Sequence, residues 1–84
     1  MNSIRPNHKF TFTNKNLNLV IINGQVFLED SAGIPQDIRL LNPCRRRVSL
    51  HIINALTKSI NPHVVLSVLR KKTCSLKWEL VEAL

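Results

Sequence analysis

The spacing of apolar residues changes near Asn42, and this change constrains the fold more than any other feature of the chain. Before it, apolar and polar residues alternate, as Phe10 and Phe12 do with Lys9 and Thr11, which is typical of half-buried strands. After it, apolar residues recur at helical spacing. A chain of 84 residues has room for one small core. The sequence therefore predicts a single α+β domain, with its strands first and its helices after.

The strands are predicted to form an antiparallel hairpin or meander over about residues 8–41, with residues 1–7 as a flexible N-terminal arm. Asn23-Gly24 follows an apolar run and is the strongest hairpin signal, because both residues tolerate the positive φ of a tight turn. Residues 37–41 fit either a short fourth strand or a single helical turn, and the sequence does not choose between them.

Two Asn-Pro pairs predict where the helices begin. Asn can cap the free amides of a helix, and Pro at the first helical position has no amide to lose. Asn42-Pro43 and Asn61-Pro62 thus open helices of about residues 43–59 and 62–72. A third helix is predicted over 75–84, although nothing near Thr73 forbids one continuous helix.

Each of the first two helices has an apolar arc that predicts its core-facing side. The arc of the second helix covers more than half of its circumference, so this helix is expected to be central. The arcs consist of Val48, Ile52, Ala55, Leu56 and Ile60 in the first helix, and Val64, Val65, Leu66, Val68 and Leu69 in the second. The side of the first helix opposite its arc carries a row of polar residues: Arg47, His51, Asn54 and Lys58.

The charge distribution predicts contact with a polyanion. Twelve Lys and Arg against five Asp and Glu give a formal charge of +7, and no acidic residue lies between Asp37 and Glu79. Three consecutive arginines begin the predicted first helix, where the helix dipole disfavours cations. A second basic cluster ends the second helix, where a favourable interaction with the dipole explains it as well as ligand binding does. The candidate binding residues are Arg45, Arg46, Arg47, His51, Asn54, Lys58, Arg70, Lys71 and Lys72.

These residues favour a small nucleic-acid-binding, regulatory protein that contacts phosphates through an Arg/Lys-rich helix. Duplex DNA is favoured over RNA because the chain has one Trp, no Tyr and three Phe, which are expected in the core, so aromatic platforms for single-stranded bases are scarce. The alternative is a protein-interaction module (an adaptor, an inhibitor or a secretion-associated subunit) that binds an acidic partner protein. A homodimer is a further possible assembly, since self-association adds core to a small domain.

No pattern predicts an enzyme, a cofactor or a metal site. Cys44, His51, His63 and Cys74 lack the short paired spacings of zinc ligands, and Cys44 and His51 are too far apart on a helix to act as nucleophile and base. Both cysteines are expected to be reduced and mostly buried. No apolar run is long enough for a membrane span, so a cytoplasmic protein is expected, or a nuclear one in a eukaryote.

Overall fold

The computed structural model describes residues 8–15, 17–42 and 48–84 of the chain, and the predicted N-terminal arm lies outside them. The fold is α+β, as predicted, and its strands form one antiparallel sheet in the order β4-β3-β2-β1-β5. The elements are β1 (Lys9–Asn14), β2 (Leu17–Ile22), β3 (Gln25–Glu29), β4 (Pro35–Asp37), a 3₁₀ turn (Ile38–Leu40), α1 (Leu50–Leu56), α2 (Pro62–Thr73) and β5 (Glu79–Ala83).

The predicted hairpin is confirmed. Asn23 and Gly24 have φ angles of +50° and +81°, and they join β2 to β3 with Ile22 opposite Gln25. A Cβ on Gly24 would meet no atom within 4 Å, so the backbone conformation, and not a lack of space, favours glycine there. Of residues 37–41, which fitted a strand or a helical turn, Asp37 ends β4 and Ile38–Leu40 form the 3₁₀ turn directly after it.

The core lies between one face of the sheet and the two helices. Register brings Phe10 opposite Ile21 and Phe12 opposite Leu19, so these four side chains share the inward face of neighbouring strands. The buried core consists of Phe10, Phe12, Leu19, Ile21, Val26, Leu28, Ile38, Val48, Ile53, Leu56, Val65, Leu69 and Trp78.

The first helix is shorter than predicted. The Ser49 side chain accepts a hydrogen bond from the Ile52 amide at 3.3 Å and caps α1, so a helix running without interruption over 43–59 is wrong. Pro43 lies outside the described residues. Because α1 ends at Leu56, Ile60 falls in the connection to α2 and is 73% exposed, not part of the core. The Ser49 cap inside the apolar pattern therefore starts a helix at Leu50.

The second helix begins as predicted. The Asn61 side chain accepts a hydrogen bond from the His63 amide at 3.0 Å, and Pro62 occupies the first turn. The helix ends at Thr73, and Cys74 follows it in the left-handed conformation with φ +55°. The amides of Cys74 and Ser75 both donate to the Arg70 carbonyl, which satisfies an end group of the helix and stops it.

The predicted third helix over 75–84 is wrong, because this segment contains strand β5. Trp78 is buried and Leu80 half-buried, while Lys77 and Glu79 beside them are exposed, which is a strand's alternation. β5 pairs with β1 through Phe12–Leu80 and Thr13–Glu79. As a strand, the segment both hydrogen-bonds β1 and covers the core with Trp78, whereas a helix could not join the sheet.

Arg70 holds the chain in place between α2 and β5. Its Nε and Nη2 donate to the Trp78 carbonyl oxygen at 2.9 and 2.7 Å. The Arg70 backbone carbonyl accepts from Cys74 and Ser75, so one residue organises both sides of the connection. The guanidinium thus has a structural role that charge alone does not reveal.

We expect Arg70→Ala to lower the free energy of unfolding by about 1.5–3 kcal/mol, because two charge-assisted hydrogen bonds to a carbonyl are lost. Urea denaturation followed by circular dichroism measures the change. Lys71→Ala is the matched control, since Lys71 is exposed in the same helical turn and its loss should cost less than about 0.5 kcal/mol. Equal effects of the two substitutions would contradict the structural role of Arg70.

Cys74 is exposed and its thiol is free, so the expectation of a mostly buried cysteine is wrong at this position. Cys44 lies outside the described residues. Titration of the native protein with a thiol reagent should therefore modify Cys74 without denaturant, and Cys74→Ser should remove one reactive equivalent. If the native protein and Cys74→Ser reacted with the same number of equivalents, Cys74 would be inaccessible in solution.

Candidate binding groove

Helices α1 and α2 form the two walls of a groove of about 460 Å³. One wall comes from residues of α1 and of the turn after it, spaced three, one and three apart, and the other wall comes from residues of α2 spaced four apart. Ser59, in the connection between the helices, also lines the groove. The described residues that line it are His51, Asn54, Ala55, Lys58, Ser59, Val64, Val68 and Lys72.

Three aliphatic side chains, Ala55, Val64 and Val68, form the apolar part of the lining. Sequence periodicity predicted all three for the core. Ala55 and Val68 are instead half-buried, and Val64 is 45% exposed, because the core side of each helix is already occupied by other residues such as Leu56 and Leu69. The groove is therefore partly apolar and reachable from solvent.

The polar side of the groove collects four of the candidate binding residues. His51 and Asn54 of the predicted polar row line it from α1, Lys58 of the same row lines it from the turn after α1, and Lys72 lines it from α2. All four are exposed. Lys58 lies in the turn that follows α1 and Lys72 in the last turn of α2, so the tertiary fold brings them to one place. None of the described residues that line the groove carries a carboxylate.

Arg39 is a further cation beside the groove that periodicity did not identify. Its Nη2 donates to Asn54 Oδ1 at 2.6 Å, across from the 3₁₀ turn to α1. This bond fixes the oxygen of the Asn54 amide toward Arg39 and leaves the amide nitrogen to face away. The sequence places Arg39 in the interval without acidic residues between Asp37 and Glu79, but residue 39 has no helical spacing to the residues of α1.

The cluster at the end of α2 divides between different roles. Lys72 lines the groove, Arg70 donates to the Trp78 carbonyl, and Lys71 is exposed without lining the groove. All three lie in the last turn, where cations interact favourably with the helix dipole. Arg45, Arg46 and Arg47 lie outside the described residues, and their role in binding stays a prediction.

Carboxylates do not neutralise the cations at the groove. Within residues 8–15, 17–42 and 48–84, one ion pair forms, between Lys9 Nζ and Glu82 Oε1 at 3.6 Å. Asp37, the acidic residue nearest to Arg39 in sequence, accepts instead from the Arg39 backbone amide and from the Gln25 side chain. The positive charges at the groove thus face solvent or a ligand.

No cluster of His, Cys, Asp or Glu among the described residues could hold a metal ion. In the same part of the chain, no helix is long and apolar enough to cross a membrane. His51 lines the groove, whereas His63 is exposed near the start of α2 and Cys74 follows its end, so the metal-type residues that the structure describes do not converge.

Comparisons with known proteins do not assign this chain to a family. The chain matches no protein-family model, no curated protein and no solved structure.

Proposed function

We propose that this chain is a small nucleic-acid-binding protein, and that the groove between α1 and α2 is where it contacts phosphates. The observation that carries the proposal is the meeting of Lys58, in the turn after α1, with Lys72 of α2 at one groove, with His51 and Asn54 beside them. Arg39 adds a guanidinium through its bond to Asn54. Lysine and arginine are the usual protein partners of backbone phosphates.

The overall charge of +7 supports the same proposal. Phosphate binding by unpaired cations releases condensed counterions, which supplies much of the affinity of basic proteins for nucleic acid. Cations already paired with carboxylates would add less affinity for phosphates. The described cations at this groove have no such partner. The binding should therefore be strongly salt-dependent.

The proposal is for binding without catalysis, in a regulatory role. His51 is the residue in the lining best suited to proton transfer, but no carboxylate in the lining could orient its imidazole as a base. Helix α1 has seven residues and is about 10 Å long. Its polar row faces into a groove instead of forming a ridge, so we do not propose α1 as a helix that inserts into the major groove of DNA.

The aliphatic lining supports a second candidate, an acidic partner protein that also brings an apolar side chain. Ala55, Val64 and Val68 would contact that side chain while the lysines contact carboxylates. The purified protein separates the two candidates. Nucleic acid carried through purification raises the ratio of absorbance at 260 nm to that at 280 nm, whereas a partner protein appears as a second stoichiometric band.

The homodimer stays a prediction. β5 is an edge strand, but Val81 is an extra residue between the pairs Thr11–Glu82 and Phe12–Leu80, so the strand is bulged. Bulges and charged residues on an edge strand oppose pairing with a second sheet. Val81 and Leu84 do remain exposed, and we propose no self-association through the β5 edge.

We expect Lys58→Gln and Lys72→Gln each to weaken binding to nucleic acid and to reduce the slope of log affinity against log salt by about one. Each substitution removes one phosphate contact and the counterion that this contact releases. Fluorescence anisotropy with a labelled oligonucleotide, between about 50 and 200 mM salt, measures both quantities.

Lys15→Gln is the matched control for these two variants. It makes the same change in net charge, but Lys15 is an exposed residue after β1 and does not line the groove. Its slope should stay near that of the unmodified protein. Equal losses for all three variants would mean that net charge alone drives binding, and no binding at low salt would refute the proposed function.

A further inference from the structure

We infer that the groove holds one nucleotide unit of a single strand, with the base against the aliphatic side chains and the phosphates against Lys58 and Lys72. This inference rests on the proposed function and names the form of nucleic acid that the site prefers. It departs from the preference for duplex DNA, which was based on the scarcity of aromatic residues.

The volume of the groove matches one nucleotide. A volume of 460 Å³ lies within the range of about 300–1,000 Å³ typical of small-molecule pockets. One nucleotide fits that range, whereas a duplex or a partner helix would have to lie across the groove without filling it. The occupant that matches the space is thus a single unit of a flexible chain.

The lining of the groove combines aliphatic side chains with cations. Phosphates and sugars alone gain little from aliphatic contacts, yet Ala55, Val64 and Val68 occupy the groove beside the lysines. Proteins that bind an unstacked base hold it between aromatic or apolar side chains. An apolar surface next to two cations therefore complements the two halves of a nucleotide, the flat base and the charged phosphate.

The lining also provides hydrogen-bond donors, from Asn54 and Ser59. The Asn54 amide oxygen is taken by Arg39, so its nitrogen remains as a donor. The Ser59 hydroxyl oxygen accepts from the Asn61 amide at 3.1 Å and keeps its own hydrogen to donate. Base edges that carry carbonyl oxygens, as in thymine or uracil, can accept from such donors.

A duplex does not present an unstacked nucleotide to the groove. Its bases are stacked and hydrogen-bonded, and extruding one costs a few kcal/mol, whereas a single strand exposes its bases at little cost. The groove should therefore distinguish strands with accessible bases from strands with phosphates alone and from duplexes.

Three labelled probes of equal length, about 12 nucleotides, test the inference by anisotropy at low salt. They are oligothymidylate, an abasic strand with the same phosphates, and a duplex. We expect oligothymidylate to bind at least about fivefold more tightly than either of the others. Free thymidine monophosphate, added as competitor, shows whether the groove takes the unit alone or only within a strand.

Two variants fill the groove without changing charge. Ala55→Leu and Val64→Leu should each remove most of the preference for oligothymidylate over the abasic strand and leave the salt slope unchanged. Ala32→Leu, on an exposed turn away from the groove, is the matched control. Circular dichroism and the denaturation midpoint establish that each variant is folded.

The outcomes separate the inference from the proposed function. If the abasic strand and oligothymidylate bind equally and the filled variants bind as the unmodified protein does, the inference is overturned while phosphate binding stands. If no nucleic acid binds at low salt, the proposed function fails as well. If only an acidic peptide with apolar side chains binds, and Ala55→Leu abolishes that binding, the groove serves a protein partner and both proposals fail.

Discussion

Arg70 fixes the connection between α2 and β5, and the place of β5 and Trp78 in the fold depends on that connection. The Arg70 carbonyl accepts the amides that end the helix, and its guanidinium donates twice to the Trp78 carbonyl. The chain can then return along β1 as strand β5 and place Trp78 over the core. Without this return, β1 would be an exposed edge and the sheet would lose the strand that covers it.

The groove forms because each helix buries few of its apolar side chains in the core. α1 contributes Ile53 and Leu56 to the fully buried core, and α2 contributes Val65 and Leu69. The neighbouring aliphatic residues on each helix are left between the two helices, where Lys58 and Lys72 border them. A small domain buries a smaller share of its surface than a large one, so apolar side chains at a shared cleft are expected. Here they lie next to unpaired cations.

Local signals predicted the local features well. Asn23-Gly24 predicted the β2–β3 turn, and Asn61-Pro62 predicted the start of α2, because each signal acts within a few residues of its own position. The uninterrupted first helix was wrong because Ser49, a good cap, lay inside the apolar pattern and starts a helix of its own. The C-terminal strand was missed because its alternation is short, and pairing with a strand some seventy residues earlier is invisible to periodicity.

The sequence by itself determined the class of fold, the inward face of β1, the polar row His51, Asn54 and Lys58, and the positive charge of the chain. These depend on residue type and on spacing between residues that are close together in the chain. Only the tertiary structure decided which cations meet, because Lys72 and Arg39 reach the same place as Lys58 through the packing of separate elements. It also decided that Arg70 supports the fold while Lys72 faces the groove, since a long charged side chain takes its role from the groups that packing brings within its reach.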